Sequence, residues 1–382
     1  MDTNETRILN YLRQHEEEML RDLSDLVAMD SPTTDKALAD ACADVLEGIL
    51  QKRLGHLGTV TSFPQADYGR HILFRREDGL ARRIVMTGHY DTVWEKDSMP
   101  PLHREGDALH GPGVLDMKSG DVYMIWTVKA LHDLGIPTDK GIDLFFTSDE
   151  EVSGPTSRPI MSELFADYAA ALVIEPGEEG TGRIATQAPG NCRYKLNFTG
   201  RAAHAGAAHR DGRNAIEEMA HHILKIQSMT DYSRGRTLSV GVCEGGEMIN
   251  IVPDHASCLV DCRFLYSEDG AMLHNFFHTL TPVVEGCSVT VEDVCWLDPV
   301  EKTPENVALY GHLRAAGEAV GYPVDEFIWG ACSDANYFAM MGLPVLCSLG
   351  GCGCGIHARH EHLLLSHFIP RLAVLTSFLT RI

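Results

Sequence analysis

Acids and histidines recur in this chain where short apolar runs end. His89 and Asp91 follow the run Arg83 to Met86, Glu150 and Glu151 follow Ile142 to Thr147, and Glu175 follows Ala170 to Ile174. His357 comes a few residues after Pro344 to Leu349, through a glycine-rich loop, and Asp116 lies in the loop Gly111-Pro-Gly-Val-Leu-Asp-Met-Lys. Open α/β sheets gather ligands at the carboxyl ends of their strands. Two imidazoles with several carboxylates suit zinc, which accepts nitrogen and oxygen ligands, and a shared Asp can hold two ions ~3.5–4 Å apart. Such a pair activates water.

Asp91, two residues past His89 on an extended strand end, is expected to accept the other ring N–H of that histidine and fix its tautomer. Glu150 and Glu151, if extended, point to opposite sides, so that one binds metal while the other faces the water. The base is assigned to Glu150. Taken singly these residues have plainer explanations: Asp116 could cap the following helix, and the paired glutamates could be a solvated strand end. Independent solvated acids, however, have no reason to fall at the ends of successive strands.

The apolar runs named above, with His71 to Phe74, read as strands, and Thr6 to Ala28, Asp35 to Leu54 and Met117 to Leu134 read as helices. That alternation predicts an α/β sheet flanked by helices. Between Gly190 and Val294 the pattern changes. It gives strand (Cys192 to Phe198), helix (Arg213 to Met229), strand (Leu238 to Cys243), strand (Ala256 to Leu265), helix (Glu268 to Leu280) and strand (Ser288 to Val294). This βαββαβ order is that of a ferredoxin-like unit. The expected organisation is a catalytic domain in two segments, 1–187 and 297–382, with a lid inserted at 188–296.

With 382 residues the chain is long enough for two domains. Its 32 Lys and Arg against 54 Asp and Glu give a charge of −22, which disfavours non-specific attraction to nucleic acid or an anionic membrane. Small substrates and metals fit better. The stretch from Met1 to Glu18 lacks the basic start and apolar core of a secretory signal, and no apolar run approaches the ~20 residues that span a bilayer. Eleven cysteines without CxxC pairs point to free thiols in a reducing compartment, so the expected location is the cytoplasm.

The segments Met86-Thr-Gly-His-Tyr-Asp-Thr-Val93, Gly111-Pro-Gly-Val-Leu-Asp-Met-Lys-Ser-Gly120, Thr147-Ser-Asp-Glu-Glu-Val-Ser-Gly154 and Gly200-Arg-Ala-Ala-His-Ala-Gly206 resemble the zinc-dependent aminoacylase and carboxypeptidase family. That family includes acetylornithine deacetylase, succinyl-diaminopimelate desuccinylase, peptidase T and glutamate carboxypeptidase, the last being nearest in pattern. The resemblance implies two zinc ions per subunit and a homodimer. It makes His89, Asp116 and Glu175 ligands of one ion, and Asp116, Glu151 and His357 ligands of the other. Glu150 falls on the family's general base and Asp91 on its histidine-orienting acid. Cobalt or manganese would accept similar ligands.

The same resemblance gives His204 the role of binding the developing oxyanion in the partner subunit's site. Asn250, in Asn-Ile-Val-Pro253, and Arg263, in Val260-Asp-Cys-Arg-Phe264, match positions of a substrate-carboxylate site. A guanidinium offers a carboxylate two parallel donors, although a strand Arg in a surface ion pair is the alternative. The implied reaction is hydrolysis of an amide bond to an amino acid with a free carboxylate, in a short peptide or N-acyl amino acid. An aminopeptidase or dipeptidase of the same family is the rival enzyme, and a non-catalytic metal- or peptide-binding protein the rival of another class. Glu175 argues mildly against the aminopeptidase, because the family's deacylases and carboxypeptidases usually have Glu there and its aminopeptidases Asp. One departure is the pair Cys352 and Cys354 just before His357, followed by His360 and His362, which raises the question of a further metal contact.

Overall fold

A computed structural model describes residues 3–382. They divide into two units: the chain up to Thr186 with Lys302–Trp329 and Ser333–Ile382, and Gln187–Glu301 with Gly330–Cys332.

The first unit is built on a six-stranded mixed sheet in the order Gly58–Phe63, His71–Arg76, Gly141–Thr147, Arg83–His89, Ala170–Val173, Val345–Leu346. The first two strands pair antiparallel and the last four run parallel. Gly141–Thr147 and Ala170–Val173 are buried along their whole length, as strands covered on both faces must be. Helix Ser119–Asp133 packs on this sheet and buries almost every residue, Trp126 among them. The fold is thus the α/β class that the apolar runs predict. Parallel direction has a consequence for chemistry. His89 pairs with Thr147 and Thr87 with Val173, so the strand ends that precede Asp91, Glu150 and Glu175 all lie at one edge.

The expected single helix Thr6 to Ala28 is instead two, Asn4–Gln14 and Glu16–Val27, broken at His15 with φ −104° and ψ 6°. No Pro or Gly marks the break; His15 Nδ1 lies 2.8 Å from Glu18 Oε1, and its ring packs against Tyr11. The strand Gly58–Phe63 was not anticipated from its weakly apolar sequence; it joins the sheet by antiparallel pairing with His71–Arg76. Arg53, from helix Lys36–Leu54, donates to both oxygens of buried Asp22 at 2.9 Å, and Trp126 Nε1 donates to the same carboxylate at 2.8 Å. That one acid ties three helices around the core.

The second unit holds a four-stranded antiparallel sheet in the order Thr237–Gly245, His255–Phe264, Gly190–Thr199, Ser288–Leu297. Helices Ala215–Gln227 and Ser267–His278 pack on it over a core that includes Tyr194, Leu196, Phe198, Val260, Phe264, Leu273 and Phe277. The chain order is strand, helix, strand, strand, helix, strand.

Candidate metal centre

The strand Arg83–His89 delivers His89 into the interior, where 1% of it is exposed. Gly88 is required beside it, because a Cβ there would meet Met117 Cε at 2.5 Å and Asp121 Oδ1 at 2.7 Å. Asp116 sits in a distorted turn, Val114–Lys118, and its own φ and ψ of −113° and 95° are not helical. The cap position of the helix that follows, Ser119–Asp133, is Lys118, so Asp116 does not cap it. The Asp116–Met117 peptide is cis. Glu175 lies just past Ala170–Val173 and is buried, whereas His357, at φ 58° in the loop after Leu349, keeps an exposed ring.

Asp116 joins the two histidines. Its Oδ1 is 3.2 Å from His89 Nε2, and its Oδ2 is 3.2 Å from His357 Nε2. Glu175 Oε1 stands 3.6 Å from His89 Nε2, and Glu151 Oε2 stands 3.1 Å from His357 Nε2. Ligand atoms of His89, Glu150 and Glu175 lie within 4.8 Å of one another, as do those of His89, Asp116 and Glu151. Cys352 and Cys354, in the loop before His357, belong to no such group among the described residues.

Two details differ from the sequence expectation. Glu150–Val152 is one turn of 3-10 helix, so the alternation of extended residues does not separate the two glutamates. The turn is set instead by Asp149, whose Oδ2 accepts from the main-chain N–H groups of Thr156 and Ser157 and from the Thr156 hydroxyl. Nor is the Asp91 carboxylate the nearest partner of His89. The Asp91 carbonyl oxygen is 3.0 Å from His89 Nδ1, with carboxylate Oδ1 at 3.5 Å. Asp91 Oδ2 accepts from the Thr33 hydroxyl at 2.7 Å and lies 3.4 Å from the Glu151 main-chain nitrogen.

Glu361 was not singled out from the sequence. It is buried, and its Oε1 accepts the main-chain N–H groups of Leu115 at 2.9 Å and Asp116 at 3.1 Å. Its Oε2 accepts from the Gly113 N–H at 3.2 Å and Trp94 Nε1 at 2.8 Å. One carboxylate thus fixes the loop that presents Asp116. An acid four positions after His357 carries no local signal of this, because its partners lie far along the chain.

Four carboxylates, of Asp116, Glu150, Glu151 and Glu175, converge here, and among the described residues no Lys or Arg forms an ion pair with them. Burial and then the neighbouring charges push Glu150 and Glu175 well above the usual carboxylate range, with the charge of His89 opposing, and burial also raises Glu151. Hydrogen bonds to Asp116 and Glu151 raise His357 to about 10. Burial alone would lower His89, but Glu175, Asp116 and Asp91 outweigh it and raise it well above its ordinary value. Both shifts have the same cause, the concentration of negative charge around the imidazoles. A donor set of imidazole nitrogens and buried carboxylates without guanidinium or ammonium partners fits a centre for divalent cations.

The second unit carries the other expected residues. His204 lies on the short strand Ala203–His204, and its Nδ1 accepts from the main-chain N–H groups of Gly206 and Ala207, both at 3.1 Å. The ring proton of the neutral form is therefore on Nε2, which is free to donate. The Asn250 carbonyl accepts the Ala205 N–H at 2.9 Å, so His204 and Asn250 belong to one turn system. Arg263 is on a different strand and is already paired: its Nε donates to Asp261 Oδ1 at 2.9 Å, and its Nη1 lies 3.3 Å from Cys332 Sγ.

A model of peptidase family M20/M25/M40 matches residues 85–381. Carboxypeptidase G2 of Pseudomonas sp. is 28% identical over 364 residues, covering 92% of this chain and 86% of that protein. Succinyl-diaminopimelate desuccinylase of Corynebacterium glutamicum is 25% identical over 382 residues, covering 93% of this chain and 94% of the other. Among solved structures, aminopeptidase PepT from Bacillus cereus superposes with a TM-score of 0.77 at 22% identity, over 96% of this chain and 98% of that one. A dinuclear metal binding peptidase of Bacillus subtilis, the YXEP protein, superposes with a TM-score of 0.73 at 13% identity, over 97% of this chain and 100% of its own.

Proposed function

The chain belongs to peptidase family M20/M25/M40, and on that premise we propose that it hydrolyses an amide bond next to an amino acid bearing a free carboxylate. It acts as a carboxypeptidase or N-acyl-amino-acid deacylase. The observation that carries this reading is Asp116, held between two imidazoles, with half-buried Glu150 next to the same cluster. Carboxypeptidase G2 and a desuccinylase, relatives that align along nearly the whole chain, support the substrate class.

His89, Asp116 and Glu175 would hold one zinc ion, and Asp116, Glu151 and His357 a second. When bound, such ions would supply Lewis acidity toward the scissile carbonyl and lower the pKa of the attacking water. Glu150 takes the proton of the attacking water and passes it to the leaving nitrogen, acting as base and then as acid. Asp91 holds the His89 ring through its carbonyl and carboxylate, which leaves Nε2 for the metal. His204 donates from Nε2 to the developing oxyanion across a homodimer. The substrate carboxylate is taken by Arg263 and Asn250, with Arg263 sharing or exchanging its Asp261 partner. The free thiols fit a cytoplasmic enzyme, and among the described residues no helix is long and apolar enough to cross a membrane.

The test is a panel assay of the zinc-loaded protein on C-terminal glutamate amides, acetyl and succinyl amino acids, and dipeptides. Turnover is expected only where the α-carboxylate is free, and amidating that carboxylate should abolish it. Arg263→Ala should raise KM about ten- to hundredfold, the equivalent of a lost charge-assisted hydrogen bond of about 1.5–3 kcal/mol. Cleavage that follows a free amino terminus would replace this reading with an aminopeptidase, and bound metal without any turnover would replace it with a binding protein.

A further inference from the structure

The second unit carries a side-chain cluster for which the hydrolytic reading has no use. His274 and His278 stand four residues apart on helix Ser267–His278, a spacing that sets two side chains one turn apart on the same face. Asp293, on the edge strand Ser288–Leu297, meets them: its Oδ1 is 3.1 Å from His278 Nε2. One ligand atom from each of the three lies within 4.8 Å of the other two.

This arrangement is built by the fold. Along the edge strand Val289 and Val291 pack against the core of the unit, and Asp293 is next in that alternation, where the period of a strand calls for another apolar residue. Immediately after it the register shifts, so that Asp293 pairs with Tyr194 and Cys295 with Arg193. Such a bulge re-aims side chains at a sheet edge. The imidazoles are framed by aromatic rings: His274 lies edge-on to Trp296 with centroids 5.8 Å apart, and His278 edge-on to Tyr194 at 6.2 Å. The two imidazole centroids are themselves 4.3 Å apart. All three residues are exposed, which leaves them open to an ion from solvent.

We propose that His274, His278 and Asp293 form an accessory site for a transition-metal dication such as Zn2+, Ni2+ or Co2+, using none of the residues around Asp116. Two imidazoles with one carboxylate select such ions over Mg2+ and Ca2+, which take oxygen ligands. The bound ion pins the last turn of the helix to the edge strand, and a ligand that binds only the folded chain raises its stability.

The experiment is equilibrium dialysis of the full chain against micromolar Ni2+, with bound metal counted by mass spectrometry. Wild type is compared with the His274→Ala/His278→Ala double variant and with Asp293→Asn. Because the sites around Asp116 are the same in both chains, the difference isolates the accessory site. The double variant is expected to bind one Ni2+ fewer per chain and to show a smaller rise in melting temperature on adding Ni2+. Asp293→Asn should weaken binding about tenfold, and the hydrolytic rate of the zinc-loaded enzyme should not change. Equal metal content in wild type and double variant would overturn the site, and an equal difference with Mg2+ would overturn the choice of ion.

Discussion

Glu361 Oε1 accepts the main-chain N–H of Asp116 at 3.1 Å, across a sequence separation of 245 residues. The residue that both imidazoles contact is thus held from behind by an acid that contacts neither of them through any hydrogen bond or ion pair in the described residues.

Replacing Glu361 by Gln keeps the size and turns one acceptor oxygen into a donor facing N–H groups. The expected cost is about 1.5–3 kcal/mol of stability, from weakened buried hydrogen bonds to a charged acceptor. Metal affinity should fall about 10–100-fold, as it does when outer partners of a metal ligand are removed. Thermal melts and metal titrations read both quantities, and an unaltered affinity would remove Glu361 from the centre.

Asp116→Asn deprives both histidines of their common partner, so purified protein should lose most of its metal and its hydrolytic activity. In the metal-free protein the hydrogen bond that His357 donates to Asp116 is the largest cause that raises its pKa to about 10. Such an elevated imidazole contributes stability that is complete below its ordinary value near 6.5 and is lost as pH rises through about 10. Melting curves of metal-free wild type should therefore decline across that alkaline range, and those of Asp116→Asn should decline less. Parallel curves would contradict the coupling.

Glu150→Gln should leave metal content unchanged and lower kcat by about 10²–10⁴-fold, the usual range for a lost general acid–base. Metal analysis beside steady-state kinetics decides it. Near-normal turnover would transfer the proton-carrying role to another group.

His71 is fully buried, with Nε2 2.9 Å from the Thr156 hydroxyl and Nδ1 accepting the Ser148 N–H, and burial lowers its pKa, with the charge of Asp149 opposing. Here the sign is reversed. A depressed imidazole contributes stability above its ordinary value near 6.5 that is lost as pH falls below it, because the unfolded chain then binds the extra proton. His71→Gln should melt with a weaker acid-side slope than wild type between pH 6.5 and 5, measured on the metal-free protein; an equal slope would assign the acid sensitivity elsewhere.

Much of the centre can be read from the chain because the chemistry is attached to strand ends. Apolar runs such as Ile142 to Thr147 identify strands by composition alone, and an acid placed directly after a buried strand of a parallel sheet must emerge at the ligand-binding edge. That local rule points to His89, Glu150, Glu151 and Glu175, and the two breaks in pattern near residues 188 and 297 separate the βαββαβ segment from the rest.

Other features depend on partners that local sequence does not name. Gln14 and Glu16 are ordinary helix residues, yet the helix breaks at His15 between them. The 3-10 turn of Glu150–Val152 is fixed by what Asp149 accepts from Thr156 and Ser157. Whether Arg263 stands free or in an ion pair is open in the sequence until the strand pairs it with Asp261, and the bulge after Asp293 is a matter of sheet register. The sequence by itself determined the fold class, the motif order and the residue types at the centre, because periodicity and composition are local properties. Tertiary structure alone decided that Glu361 holds the Asp116 loop and that Asp116 lies between His89 and His357, since hydrogen bonds and charge act over a few ångströms of space whatever the distance along the chain.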